Sequence, residues 1–314
     1  MRARSGTLFE VPAGLGSGRL ALAVLLSAVL LAPAAGASVS SRRTTAYAGL
    51  GTWVDIYAKK DWRHPERQVA AMARDGAQTL YLETGNYRQK ADLVRPRGLG
   101  RFLDAAHAAG LRVVAWYLPS FATPRKDERR ALAAIHFRSA SGEHFDSFAL
   151  DIEATLVRPI PLRDRRLLQL SARLRSDVGP DYALGAIVPS PIGMSPSYWP
   201  GIPYRALARF YDVFLPMAYS TMRGLRGSKA TLDYLAATVA AVRTGSGDPN
   251  LPIHLIGGIS AAMGAKETAG FMRAVAACVP LGYSLYAFHT TRRAAWTVLT
   301  APLSAPASGG RRCG

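Results

Sequence analysis

The chain reads as a single (β/α)8 TIM barrel of the α/β class, on three observations. Eight short runs rich in β-branched and aromatic residues alternate with eight amphipathic segments. No glycine-rich phosphate-binding loop follows the first run, which argues against an open doubly wound sheet. Setting aside an N-terminal leader of 37 residues leaves 277 of the 314, a length that suits one barrel.

The expected strands cover residues 51–57, 79–83, 112–118, 147–153, 182–188, 213–219, 253–259 and 283–288. Expected helices fall between them at 66–74, 99–109, 128–138, 164–178, 204–210, 232–243, 266–278 and 291–299. Asp75-Gly76, Ala109-Gly110 and Val178-Gly179-Pro180 supply stop signals, because glycine adopts the left-handed cap without strain. No repeat of solenoid period is present.

Arg2, Arg4 and Arg19 precede an uncharged run at 20–32, and Ala35-Gly36-Ala37 offers a small-residue cleavage pattern. The domain order is therefore a signal peptide at 1–37, a linker at 38–46, the barrel at 47–300 and a tail at 301–314. An uncleaved anchor is the competing reading, but the run is short for a membrane span. Cleavage implies a secreted or cell-wall-associated product with no membrane attachment afterwards.

Removing Arg2, Arg4, Arg19 and Glu10 lowers the formal charge from +18 to +16. That sign favours anionic surfaces. Arginine outnumbers lysine 33 to 6 and is scattered, and no nucleic-acid-binding motif accompanies it, so nucleic acid is not an expected partner. The six histidines form no i, i+4 pair, and neither a metal nor a cofactor is expected.

Only Cys278 and Cys313 are present. Export permits a disulfide, and the end of the seventh long helix puts Cys278 at the barrel floor, where the tail can bring Cys313. A buried thiol and a free one are the alternative.

Reactive groups of this fold gather at the carboxyl ends of the strands. Asp151 and Glu153 in Phe148-Ala149-Leu150-Asp151-Ile152-Glu153 share one side of a strand. Burying two unpaired carboxylates costs several kcal/mol, so stability alone would favour Val or Ile there. A salt-bridged pair beside an arginine is the plainer explanation. The other strand ends offer Trp53, Asp55, Tyr57, Glu83, Trp116, Tyr117, Met217, Tyr219 and Phe288. Aromatic rings and carboxylates around one mouth suit a sugar, although each ring is equally able to fill core.

The segment from Asp146 to Glu153 resembles the fourth-strand signature of family 18 glycoside hydrolases, the chitinase-like barrels, and Met217-Ala218-Tyr219 is similar to that family's sixth-strand Met-x-Tyr. The resemblance implies Glu153 as general acid, Asp151 orienting an acetamido group that attacks the anomeric carbon, and Tyr219 holding that group. Ala149, Ser220 and Phe288 depart from the family pattern, as does Trp116-Tyr117-Leu118-Pro119 on the third strand. Family 25 muramidase-like proteins resemble the chain in the same Asp-x-Glu and in Trp53-Val54-Asp55-Ile56. The expected function is hydrolysis of a β-linked, N-acetylated extracellular or cell-wall glycan, with Asp55 or Glu83 as alternatives for the second carboxylate. A non-catalytic polysaccharide-binding barrel is the rival, favoured by the acidic positions now held by Ala149 and Ser220.

Overall fold

The computed structural model describes residues 44–303 and Cys313. The leader and most of the expected linker and tail lie outside the described residues. Eight parallel strands close into a barrel in sequence order, with β1 pairing both β2 and β8.

In chain order the elements are β1 (Gly49–Val54), α1 (Lys59–Arg63), α2 (Pro65–Arg74), β2 (Thr79–Asn86), α3 (Pro96–Ala108), β3 (Arg112–Leu118) and α4 (Pro124–Ile135). They continue as β4 (Ser147–Asp151), α5 (Ile160–Val178), β5 (Leu184–Pro189), α6 (Tyr204–Leu207), β6 (Val213–Met217) and α7 (Ser228–Ser246). The last are β7 (His254–Ile259), α8 (Ala265–Cys278), β8 (Gly282–Tyr286) and α9 (Arg293–Leu299). Four helices carry Pro in their first turn, where its fixed φ and missing N–H cost nothing. Those prolines move the starts of α2 to α5 ahead of the positions expected from apolar spacing.

Strand alternation makes two cores. Residues facing outward, such as Leu80, Leu82, Val113, Phe148 and Leu150, pack under the helices. Residues facing inward, including Trp53, Tyr81, Val114, Trp116, Ala149, Ile187, Leu215 and Ile256, fill the barrel. Each inward column ends at the mouth, which is how the fold delivers Glu83, Trp116, Asp151, Met217 and Tyr286 to one space.

The interior is polar at its base. Trp53 Nε1 donates to Ser284 Oγ at 2.8 Å, His254 lies 2.9 Å from both Ser284 Oγ and Tyr81 OH, and its Nδ1 is 2.8 Å from the Tyr47 carbonyl. Burial pushes the His254 imidazole down to about 4, so it is neutral at physiological pH. Tyr47, from a 3-10 turn over Thr45–Tyr47, plugs the floor, donating to the Phe148 carbonyl at 2.9 Å. Gly185 accommodates that plug, since a Cβ there would lie 2.7 Å from the Tyr47 hydroxyl.

β1, β4, β6 and β8 stop two or three residues short of their expected ends. At β1 the cause is local: Asp55 Oδ1 accepts from Tyr57 N at 2.8 Å, and this turn takes the chain off the barrel. β2 instead runs three residues longer, through a register shift against β3 between Glu83 and Gly85. The bulge brings Asn86 back beside Glu83, so that two side chains three positions apart are hydrogen-bonded.

Cys278 and Cys313 are joined by a disulfide with Cα atoms 5.0 Å apart. Cys278 closes α8, and the bridge lies on the floor side, away from the mouth. A loop of 35 residues implies that Cys278→Ser lowers unfolding free energy by roughly 3 to 4 kcal/mol. Denaturant melts of the non-reduced proteins check this, and equal midpoints would contradict it.

Candidate active site

The mouth of the barrel holds a cavity of about 490 Å³. Glu83, Asp151 and Glu153 face it from β2, the end of β4 and the loop beyond. Trp116, Tyr57, Tyr198, Tyr219 and Tyr286 supply aromatic walls, and Met217 completes one side.

Asp151 is the last residue of β4, and its Oδ1 is buried with no hydrogen-bond partner among the described residues. Burial pushes its carboxyl well above the usual carboxylate range, and the charges of Glu153 and Glu83 add to that. Glu153 follows in the loop, its backbone carbonyl accepting from Tyr198 OH at 2.8 Å. Burial raises its carboxyl too, opposed by the guanidinium of Arg88.

Glu83 is 1% exposed, with Oε2 accepting from Ile56 N at 2.9 Å and Oε1 from Asn86 Nδ2 at 3.0 Å. Burial dominates those two bonds and carries its carboxyl up to about 7, with Asp55 and Glu153 contributing. The Tyr219 phenol is held well above its ordinary value by burial and by Asp151 and Glu153, which keeps it a hydrogen-bond donor.

Of the residues expected at the site, Glu153, Asp151, Tyr219, Tyr57, Glu83, Trp116 and Met217 line the cavity. Asp55 stands behind the wall: its Oδ2 accepts from Tyr286 OH at 2.7 Å while its Oδ1 holds Tyr57 N. Trp53 lies below, stacked on Tyr81 at 4.2 Å and edge-on to Trp116 at 6.0 Å.

Two more of the expected residues, Tyr117 and Phe288, also lie outside the cavity. Tyr117 has the opposite strand parity to Trp116, so it faces the helices and donates to Asp127 Oδ1 at 2.8 Å. Phe288 belongs to a 3-10 turn after β8 and packs on Trp296, with centroids 6.1 Å apart, in the outer core. Tyr286, two residues earlier and still on the strand, occupies the inner wall. Asp146, which opens the resemblance on β4, sits at the other end of the barrel, accepting from Val113 N at 2.6 Å and bonded to His107.

Asn86, Tyr87, Arg88 and Tyr198 also line the cavity. They come from a bulged strand end and two loops, where no periodic pattern marks a position as inward. The described residues contain no group of three or more His, Cys, Asp or Glu side chains that could hold a metal ion.

Carboxyls with raised pKa beside aromatic rings can keep a proton near neutral pH and deliver it to a bound leaving group. The exposed carbon–hydrogen face of a sugar matches the flat walls.

No protein-family model and no curated protein sequence matches the chain. Solved structures do. A chitinase from Chromobacterium violaceum is 12% identical, with a TM-score of 0.57 over 80% of this chain and 98% of that one. The spore cortex-lytic enzyme SleL of Bacillus cereus is 9% identical, with a TM-score of 0.59 over 83% and 76%. An endo-β-1,4-mannanase from Thermotoga petrophila is 10% identical, with a TM-score of 0.57 over 76% and 68%. The chain has the barrel fold of these glycoside hydrolases, and at such identities the likeness is one of fold.

Glu83 offers a direct check on the electrostatics. Its folded pKa of about 7 exceeds the ordinary 4.5, so its contribution to stability is fully present below the ordinary value and is lost as pH rises through about 7. A carbon-detected titration of the Glu83 carboxyl should show a midpoint near 7. The stability of the parent relative to Glu83→Gln should fall between those two pH values and level off above. A midpoint near 4.5 would refute the burial account.

Proposed function

We propose that the protein is a glycoside hydrolase acting on a β-linked, N-acetylated extracellular or cell-wall glycan. The observation that carries this reading is the convergence of Asp151, Glu153 and Glu83 on one aromatic-walled cavity at the carboxyl ends of the strands. Glu153 is the general acid, because it is less buried than Asp151 and burial raises its carboxyl above the ordinary value. It protonates the glycosidic oxygen as the bond to the anomeric carbon breaks. Asp151 accepts from the acetamido N–H and steers the carbonyl oxygen onto that carbon, so the substrate supplies its own nucleophile. The Tyr219 hydroxyl donates to the same acetamido group.

The leader-like sequence at 1–37 supports an exported enzyme, and among the described residues no helix is long and apolar enough to cross a membrane. A sugar-binding barrel without turnover is the second reading. It is favoured by Ala149, a small apolar side chain inside the barrel where the resembled family has a further acid beneath the Asp151 position. The two readings separate on turnover.

Glu153→Gln should lower hydrolysis by at least about a hundredfold with folding intact, since general acid catalysis contributes factors of this order. Equal turnover by variant and parent on a glycan the parent cuts would sink the assignment. Asp151→Asn should slow cleavage of N-acetylated oligosaccharides more than of plain glucans. A uniform loss on both would make Asp151 a charge partner of Glu153 instead.

A further inference from the structure

The end of β2 builds a second feature at the rim of the cavity. Asn86, 2% exposed, is its fastener: Nδ2 donates to Glu83 Oε1 and to Tyr57 OH, each at 3.0 Å, and Oδ1 accepts from Arg88 N at 3.0 Å. The Tyr57 ring is thereby held in place although it is 59% exposed. Arg88 Nε donates to Tyr87 OH at 3.0 Å, and its guanidinium carbon stands 5.2 Å from the centroid of that ring. Among the described residues, Arg88 is the one cationic residue lining the cavity.

Elsewhere on the barrel Arg101 makes a two-pronged contact with Glu66, and Arg129 does the same with Asp92. No carboxylate lies within 4.0 Å of Arg88 among the described residues. A planar, oriented guanidinium with no carboxylate in direct contact, beside a fixed and exposed ring, is matched to a carboxylate carried on a stacked sugar.

We propose that Arg88 and Tyr57 form a rim subsite for a sugar bearing a carboxylate, so that the glycan is an acidic one; this rests on the glycan reading of the cavity. Glu83 and Asp151 do not oppose it, because they are buried in the mouth whereas Arg88 is exposed at its edge. The same guanidinium also lowers the Glu153 carboxyl. If that were its whole purpose, loss of Arg88 would change all ligands alike and leave the ratio between charged and neutral ones untouched.

The test is a ratio of dissociation constants, measured calorimetrically on the Glu153→Gln full chain so that nothing is cut. One pair of probes is chito-oligosaccharides and the same oligomers oxidised to carboxylate at C6. The other is oligomers carrying the O-lactyl carboxylate of muramic acid and their carboxamides. Arg88 intact, the carboxylate form of at least one pair should bind about tenfold tighter, by a margin that narrows with added salt. The pair that shows it identifies the source of the carboxylate. Adding Arg88→Gln should bring the ratio to about one. A ratio near one on both pairs with Arg88 present, or a preference that survives Arg88→Gln, overturns the subsite while leaving the glycan reading in place. Failure of every neutral and charged oligomer to bind overturns both.

Discussion

Asp151 is buried at the top of β4, Glu83 and Glu153 face the same cavity, and no ion pair within 4.0 Å holds any of the three among the described residues. Desolvation is the largest influence on all three and raises each carboxyl. Burying such groups opposes folding, so the scaffold beneath them has to be stiff. It is: Trp53, Ser284, His254, Tyr81 and Tyr47 are linked from below the cavity to the floor by hydrogen bonds, with the Trp53 and Tyr81 rings stacked between the paired strands β1 and β2. A neutral His254 serves that chain, since a charged imidazole there would add an unpaired buried charge.

The proposed chemistry draws on these same raised carboxyls. Glu83, with a carboxyl raised to about 7, takes two hydrogen bonds from the protein and is therefore fixed. Asp151 Oδ1 has none and is open to a donor from a ligand. Asp55, unlike these, is spent on structure, holding Tyr286 and the backbone of Tyr57. Three acidic side chains near one another thus divide into an anchored wall, an unsatisfied acceptor and a brace, a division set by their hydrogen-bond partners rather than by their position on the strands.

Period-two alternation explains what could be read before the structure. Glu83, Trp116, Asp151 and Met217 share the inward parity of their strands, and apolar neighbours announce each strand. Tyr117 departs from the expectation because an aromatic at a strand end looks alike on either face, and only the register fixes that it lies outside. Phe288 has the right parity, but β8 ends at Tyr286 and a 3-10 turn rotates the ring outward. The β2 bulge and the loops carrying Arg88 and Tyr198 leave no periodic trace, so the fastener Asn86 was invisible in the sequence.

On the proposed function, Asp151 is kept for chemistry against the interest of stability. Equilibrium unfolding of Asp151→Asn at neutral pH tests it most directly. Removing a group whose carboxyl is pushed well above its ordinary value by burial and by two neighbouring acids should leave the variant as stable as the parent or more so, while its turnover falls. A variant that loses more than about 1 kcal/mol of stability would show that Asp151 is a structural residue, and would contradict the account.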